Sequence, residues 1–297
     1  MLSIVIPTFK YNTLALVTEL NNQCIFANIN YEIIVQDDAS NYDFNSENEK
    51  INSIQNCFFY CNNQNLGRGK NINAIVEKSK FNWILILDCD VSPKTKNFIS
   101  NYLIQIKSNL NTAFFGGIEY ENAVPENNKL LRYSYGKNRE SISYTERNKN
   151  PYSTALTSNL LVSKVVFTSV KFSSDITDYG YEDLIFMQEL KLKKVKIVHI
   201  DNSVFHLNLE TSQLFLDKTA TAIKNLSFLY ATKKELTKES KIIRTYTKLQ
   251  RYNLDKLFLN VFTKFENKIK QNLLSNRPKM FLFDIYKLGN FCKLNSK

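Results

Sequence analysis

The run Trp83-Ile-Leu-Ile-Leu87 passes without a polar residue into Asp88-Cys89-Asp90. Consecutive apolar residues over this length read as a buried strand, here ended by two carboxylates one residue apart. Side chains alternate along a strand, so Asp88 and Asp90 project to the same side. Two ionised carboxylates held together repel unless a cation lies between them. A hard divalent ion with oxygen ligands satisfies both and bridges phosphate oxygens as well. The competing reading is a solvated pair of aspartates ahead of the next helix, and the Asp-x-Asp pattern alone does not separate the two.

Four other stretches carry related chemistry. Gln36-Asp37-Asp38-Ala39-Ser40 closes a second apolar run, where an aspartate accepts a hydrogen bond from an imide or a ribose hydroxyl, or else caps a helix. Asn65-Leu-Gly67-Arg68-Gly-Lys70 lies between a strand and a helix, so its glycines and the helix N-terminus suit phosphate, although a tight turn explains it equally. Tyr179–Phe186 places Glu182 and Asp183 at a helix start, where one carboxylate can bind a hydroxyl and the other accept a proton. His206 is one of two histidines and supplies a nitrogen for a metal, whereas His199 sits inside an apolar strand and reads as structural.

These residues need positioning elements. Ser3–Pro7, Glu32–Gln36, Cys57–Cys61 and Trp83–Leu87 read as strands, and Asn12–Cys24 and Arg68–Lys80 as the helices between them. Strand and helix in alternation, with continuous apolar strands, imply an α/β fold with a mostly parallel sheet covered on both faces. Ligands of such sheets lie beyond the carboxyl ends of the strands, where Asp37, Asp38, Asp88 and Asp90 fall. Further on, Ala113–Tyr120 reads as one strand, Glu121–Asn150 as a long polar mobile loop able to close over substrates, Glu182–Val195 as a helix, Lys196–Ile200 as a strand and Thr211–Tyr230 as a helix.

The chain has 297 residues, 43% of them hydrophobic, enough for a large core. Five scattered cysteines match no metal or redox spacing, and their odd number argues against a disulfide framework, so a reduced, cytoplasmic setting is expected. The first residues read as a core strand rather than a leader, and no stretch approaches the roughly 18 apolar residues of a membrane span. Residues 1–230 hold twenty-three basic and twenty-three acidic residues, while 231–297 hold sixteen and five. The whole basic excess therefore lies in the last part, which places an expected boundary near residue 231, between a catalytic domain over 1–230 and a basic helical extension over 231–297.

In order and spacing, SIVIPTF, YEIIVQDDAS, NLGRGKN, WILILDCD, TSNLLVSKVVF, YGYEDLIF and DNSVFHLNLET resemble the family 2 glycosyltransferases of the GT-A fold, over roughly residues 1–230. The resemblance implies an inverting transferase that moves a sugar from a nucleoside diphosphate, expected to be UDP, to an acceptor hydroxyl with Mn2+ or Mg2+. It implies that Pro7, Thr8 and Phe9 lie beside the base, that Asp38 reads uracil or ribose with Asp37 close by, and that Asn65, Gly67 and Arg68 line the nucleotide-sugar site. Asp88 would contact ribose and donor sugar, Asp90 would ligate the metal with Asp88 beside it, and His206 would be a further metal ligand. Asp183 would be the base, Glu182 would bind hydroxyls, and Ser158 and Asn159 would wall the sugar site. Ile72 stands where many relatives have an arginine, which leaves Arg68, Lys70, Arg139 and Arg147 as candidates to hold the diphosphate.

A sugar-1-phosphate nucleotidyltransferase would need a glycine-rich loop after the first strand, and Thr8–Thr13 contains no glycine. A binding module on a degenerate transferase fold is the other alternative, and the joint presence of Asp38, Asp88, Asp90, Glu182, Asp183 and His206 speaks against it. The expected acceptor is a glycan or a lipid-linked glycan of the cell surface. The basic extension has two readings: contact with an anionic membrane at its inner face, or packing on the catalytic domain or a second subunit. No motif supports nucleic-acid binding.

Overall fold

The computed structural model describes residues 1–41, 43, 45–107, 110–175 and 180–296. Its strands are β1 (Leu2–Thr8), β2 (Tyr31–Asp37), β3 (Cys57–Cys61), β4 (Trp83–Leu87), β5 (Val91–Pro93), β6 (Thr112–Phe115), β7 (Ile118–Glu119), β8 (Asn159–Ser163), β9 (Lys196–His199) and β10 (Val204–His206). Among the described residues they form a seven-stranded sheet in the order β3-β2-β1-β4-β8-β6-β9 and a three-stranded sheet in the order β5-β10-β7. The large sheet is parallel except where β8 runs antiparallel between β4 and β6. Alternation distributes the side chains of β1 to two cores. Leu2, Ile4 and Ile6 meet Val17 and Leu20 of the helix Leu14–Phe26, while Val5 joins Ile72, Ile75 and Val76 of the helix Arg68–Lys78. The sheet covered on both faces follows from strands with no polar face to offer water.

The order reverses between β1 and β4, since β2 and β3 lie on one side and β4 on the other. A crevice opens at such a point beyond the strand ends. Thr8 ends β1 there and Asp88 follows β4.

Two expectations fail in instructive ways. The strand expected over Ala113–Tyr120 is two strands in different sheets, divided at Gly116 and Gly117. A Cβ at Gly116 would stand 2.3 Å from the Asn202 carbonyl oxygen, and Gly117 has φ +99°. The backbone makes this break only with glycines. The stretch expected as a loop, Glu121–Asn150, instead contains the helices Leu130–Tyr135 and Tyr144–Arg147, tied down by fully buried Leu131 and by Arg147.

By compactness the chain divides into Met1–Glu119, Ser141–Thr177 and Phe186–Asn208 as one unit, and Tyr120–Glu140, Asp178–Ile185 and Leu209–Lys297 as the other. The first holds both sheets. The second is helical, built on Ser212–Thr232, Lys241–Arg251, Asp255–Leu273 and Met280–Asn295. Its core stacks Phe215 on Phe283 at 5.4 Å and sets Gly289 against the Phe262 ring, where a Cβ would approach to 2.4 Å. The extension expected to be helical is helical, and residues 120–140 are part of the same unit.

Candidate functional site

At the end of β2 two adjacent aspartates do different work. Asp37 closes a local turn: its Oδ2 accepts from Ser40 N at 2.8 Å and its Oδ1 from Ser40 Oγ at 2.6 Å. Asp38 reaches the loop before the helix Arg68–Lys78. Its Oδ1 accepts from Asn62 Nδ2 and Leu66 N, and its Oδ2 from Gly67 N, each at 2.8 Å. Asn65 Oδ1 shares the Gly67 N–H at 3.1 Å. Gly67, at φ +81°, precedes the helix. The carboxylate therefore fixes the loop whose N–H groups open that helix, and it does so 4% exposed.

Beneath it lies a network that the motif reading missed. Gln36 Nε2 donates to Asn62 Oδ1 at 2.6 Å, Asn62 Nδ2 to Asn71 Oδ1 at 3.0 Å, and Asn71 Nδ2 to the Gln36 carbonyl at 2.9 Å. Lys78 caps the chain through Gln36 Oε1 at 2.6 Å. The available signal was polarity where periodicity demands burial: Gln36 ends an apolar strand, and Asn71 lies on the helix face that carries Ile72 and Ile75.

Phe9, just past β1, is 50% exposed, and the Lys10 ammonium stands 5.5 Å from its ring. Pro7 and Thr8 are buried. Thr8 Oγ1 and Ser158 Oγ are buried polar atoms with no hydrogen-bond partner among the described residues.

Asp88 and Asp90 do not share one face of a strand. The strand stops at Leu87 and the chain turns at Cys89-Asp90 before β5. Asp88 Oδ1 accepts from Arg68 Nε at 3.1 Å and Nη2 at 2.5 Å, while Arg68 Nη1 donates to Thr157 Oγ1 at 2.9 Å. The cation beside Asp88 is thus a guanidinium from the opening turn of the helix Arg68–Lys78. Asp90 meets a different element. Antiparallel pairing of β5 with β10 places His206 opposite Val91, and His206 Nε2 lies 3.6 Å from Asp90 Oδ2. The Leu207 N–H also donates to the Asp90 carbonyl at 2.9 Å. Among the described residues no group of three or more His, Cys, Asp or Glu side chains is arranged to hold a metal. Of the three side chains expected around a metal, Asp90 and His206 stand together and Asp88 pairs with Arg68. Burial, reinforced by the Asp90 and Asp88 charges, pushes the Cys89 thiol well above its usual range and keeps it a neutral thiol.

Of the arginine candidates for a diphosphate, Arg68 stands beside Asp88. Arg147 is buried, donating from Nη1 to Ile142 O at 2.7 Å, from Nη2 to Gly116 O and Ile200 O, and from Nε to His199 Nδ1 at 3.1 Å. Arg139 pairs with Asp284 in the helical unit. Ile72, in the position where an arginine was expected, is fully buried in the sheet core. His199 is structural, as its apolar strand suggested: its Nε2 meets Pro151 O at 3.0 Å, and burial lowers its pKa to about 4. Asn159 is also fully buried. It accepts from Tyr102 OH at 2.6 Å and donates to Gly117 O and Asn202 O at 2.9 Å, so its amide cross-ties the glycine break to β8.

Glu182 and Asp183 open the helix Glu182–Leu192 and belong to the helical unit. Tyr179 of their motif lies outside the described residues. Gly180 has φ +109° and Tyr181 φ +69°. Glu182 Oε2 accepts from Gly180 N at 2.9 Å, and Asn225 Nδ2 donates to Gly180 O at 2.6 Å. A Cβ at Gly180 would lie 2.4 Å from Ala222 Cβ. The turn that delivers Asp183 is thus fixed by its own glutamate and by the helix Ser212–Thr232.

The comparisons with known proteins converge on one fold. A mannosyltransferase from Pyrobaculum calidifontis, PcManGT, solved with GDP-Man and Mn2+, superposes with a TM-score of 0.51 at 11% identity, over 76% of this chain and 63% of its own. The chain thus spans less than two thirds of that enzyme. TarS 1-349 of S. aureus, solved with UDP-GlcNAc, gives 0.53 at 14% identity, over 99% of this chain and 90% of its own. A search of curated protein sequences returned no match. At these identities the likeness establishes the GT-A architecture, a mostly parallel sheet flanked by helices. The family profile described as "Glycosyl transferase family 2" matches residues 3–161, more than half of the chain and the whole run from β1 into β8. The chain therefore belongs to glycosyl transferase family 2.

Proposed function

We propose that the protein transfers a sugar from a UDP-sugar to an acceptor hydroxyl with inversion, in the synthesis of a surface glycan. The observation that carries this reading is a turn pinned by Asp38 ahead of the helix Arg68–Lys78, with the Arg68–Asp88 pair just past β4 and the Asp90–His206 pair two residues further along the chain. Nucleoside diphosphate sugars are the ligands of both structural neighbours, and the neighbour that covers nearly the whole chain holds UDP-GlcNAc.

In this reading the half-exposed Phe9 ring stacks on the base. Asp38 uses three of the about four acceptor sites of a carboxylate within the protein, which leaves one for an imide or hydroxyl donor. The diphosphate lies at the N-terminus of the helix Arg68–Lys78, where the amides, Arg68 and Lys70 favour negative charge. Arg68 exchanges part of its hold on Asp88 for phosphate oxygen, which releases Asp88 to ribose and sugar hydroxyls. A carboxylate oxygen and an imidazole nitrogen 3.6 Å apart fit two positions around one divalent ion, Mn2+ or Mg2+, with phosphate oxygens and water as its other ligands. Such an ion would neutralise charge on the departing diphosphate. Asp183 takes the proton of the acceptor hydroxyl as it attacks the anomeric carbon, and Glu182, tied to Gly180 N, holds the turn and binds hydroxyls.

Release of UDP from a panel of UDP-sugars, with and without glycan acceptors, tests the reading. The wild-type protein turns over one donor. Asp183→Asn keeps UDP binding and loses at least about a hundredfold in kcat, the scale of general-base catalysis. Undiminished turnover by that variant removes Asp183 as the base.

A further inference from the structure

The helical unit carries an exposed apolar surface on one of its long helices. The helix Asp255–Leu273 buries Phe262, Ile269 and Leu273 in the core of its unit. A second apolar row runs along it: Leu254, Leu257, Val261 and Phe265, at spacings of three and four, are 44%, 60%, 51% and 43% exposed. Lys264 and Lys268 fall on the same face by the same spacing, and both are exposed. Val261, Phe265 and Lys268 also border an apolar cavity of about 360 Å³, lined as well by Leu282 and Ile285 of the helix Met280–Asn295. A helix with one apolar stripe in a core needs no second one. A second stripe of large side chains edged by lysines marks an interaction face.

Charge selects the occupant. Residues 231–297 carry sixteen basic and five acidic residues, so a second copy docking through this same face would bring like charge to it and be repelled. An anionic lipid surface is attracted, and apolar side chains bordered by lysines are the composition of helices that lie in the headgroup region. Among the described residues no helix is long and apolar enough to cross a membrane, which leaves contact in the plane of the interface. Just ahead in the chain, Arg244, Lys248 and Arg251 form a row on the helix Lys241–Arg251 and border, with Thr247 and Tyr252, a cavity of about 390 Å³, which adds three cations to the same unit.

We propose that this face, centred on Val261, Phe265, Lys264 and Lys268, docks the protein on an anionic lipid bilayer. The test is sedimentation of the full chain with vesicles of phosphatidylcholine alone and of phosphatidylcholine with phosphatidylglycerol. The expected result is binding to the anionic vesicles only, lost in Val261→Glu/Phe265→Glu and weakened about 30-fold in Lys264→Gln/Lys268→Gln, the effect of two lysines near a charged surface. All four positions are exposed, so both variants should melt with the wild type, and a melting scan confirms it. Three results overturn the proposal: equal sedimentation of the wild type and Val261→Glu/Phe265→Glu, binding indifferent to lipid charge, or no vesicle binding by a chain whose concentration-dependent dimer that double variant dissolves.

Discussion

Asp38→Asn separates positioning from ligand contact. The carboxylate accepts three protein hydrogen bonds of 2.8 Å, two of them from the backbone of Leu66 and Gly67 at the mouth of the helix Arg68–Lys78. An amide of the same shape keeps an acceptor on one side only. On the other it turns an N–H group toward Asn62 and Leu66 or toward Gly67. At least one charge-assisted bond, worth about 1.5–3 kcal/mol, is lost, and a buried donor is left facing another donor. The expected destabilisation is about 2–4 kcal/mol, since the site is only 4% exposed and water cannot substitute. At about 2–4 °C per kcal/mol for a large domain, Tm should fall by roughly 5–15 °C in a differential scanning measurement. UDP affinity should fall with it, because the turn is no longer held. A variant that melts within a degree of the wild type would refute the claim that Asp38 pins the loop. If that same variant lost UDP binding, Asp38 would be a ligand-reading residue alone.

Gly180→Ala should be severe, because the new Cβ would sit 2.4 Å from Ala222 Cβ at a residue with φ +109°; a cost above about 2 kcal/mol, with a matching drop in kcat, is expected in melting and turnover assays. His199 sets an acid limit. Its folded pKa of about 4 lies below the unfolded value of about 6.5, so the unfolded chain binds more protons between those values. Its contribution is therefore complete above about pH 6.5 and falls away toward pH 4, by up to about 3 kcal/mol. Denaturation profiles across that window should be flatter in His199→Gln, and parallel profiles would remove His199 as the cause.

The strands were legible where burial on both faces left only apolar residues, and Cys57–Cys61 and Trp83–Leu87 were read to the residue. The acidic clusters were legible because charge at the end of an apolar run is locally anomalous. Which group each carboxylate meets was not. The argument from strand alternation assumed that the strand continued past Leu87, but the chain turns there because β5 pairs with β10, more than a hundred residues later. Arg68 against Asp88 and Arg147 against His199 are likewise contacts between distant segments, and local periodicity carries no trace of them. The polar composition of Glu121–Asn150 suggested a loop because its helices are short and its anchors include a buried arginine, which a hydrophobic pattern does not count.

Binding of UDP to the intact protein, followed by calorimetry with Mn2+ and again with EDTA, tests the central claim most directly. Wild type should bind with Mn2+ and weaken greatly in EDTA, and Asp90→Ala should bind in Mn2+ no better than wild type does in EDTA. Equal binding in Mn2+ and EDTA, or an Asp90→Ala variant that keeps the metal dependence, would contradict the assignment of Asp90 and His206 to the metal and the diphosphate.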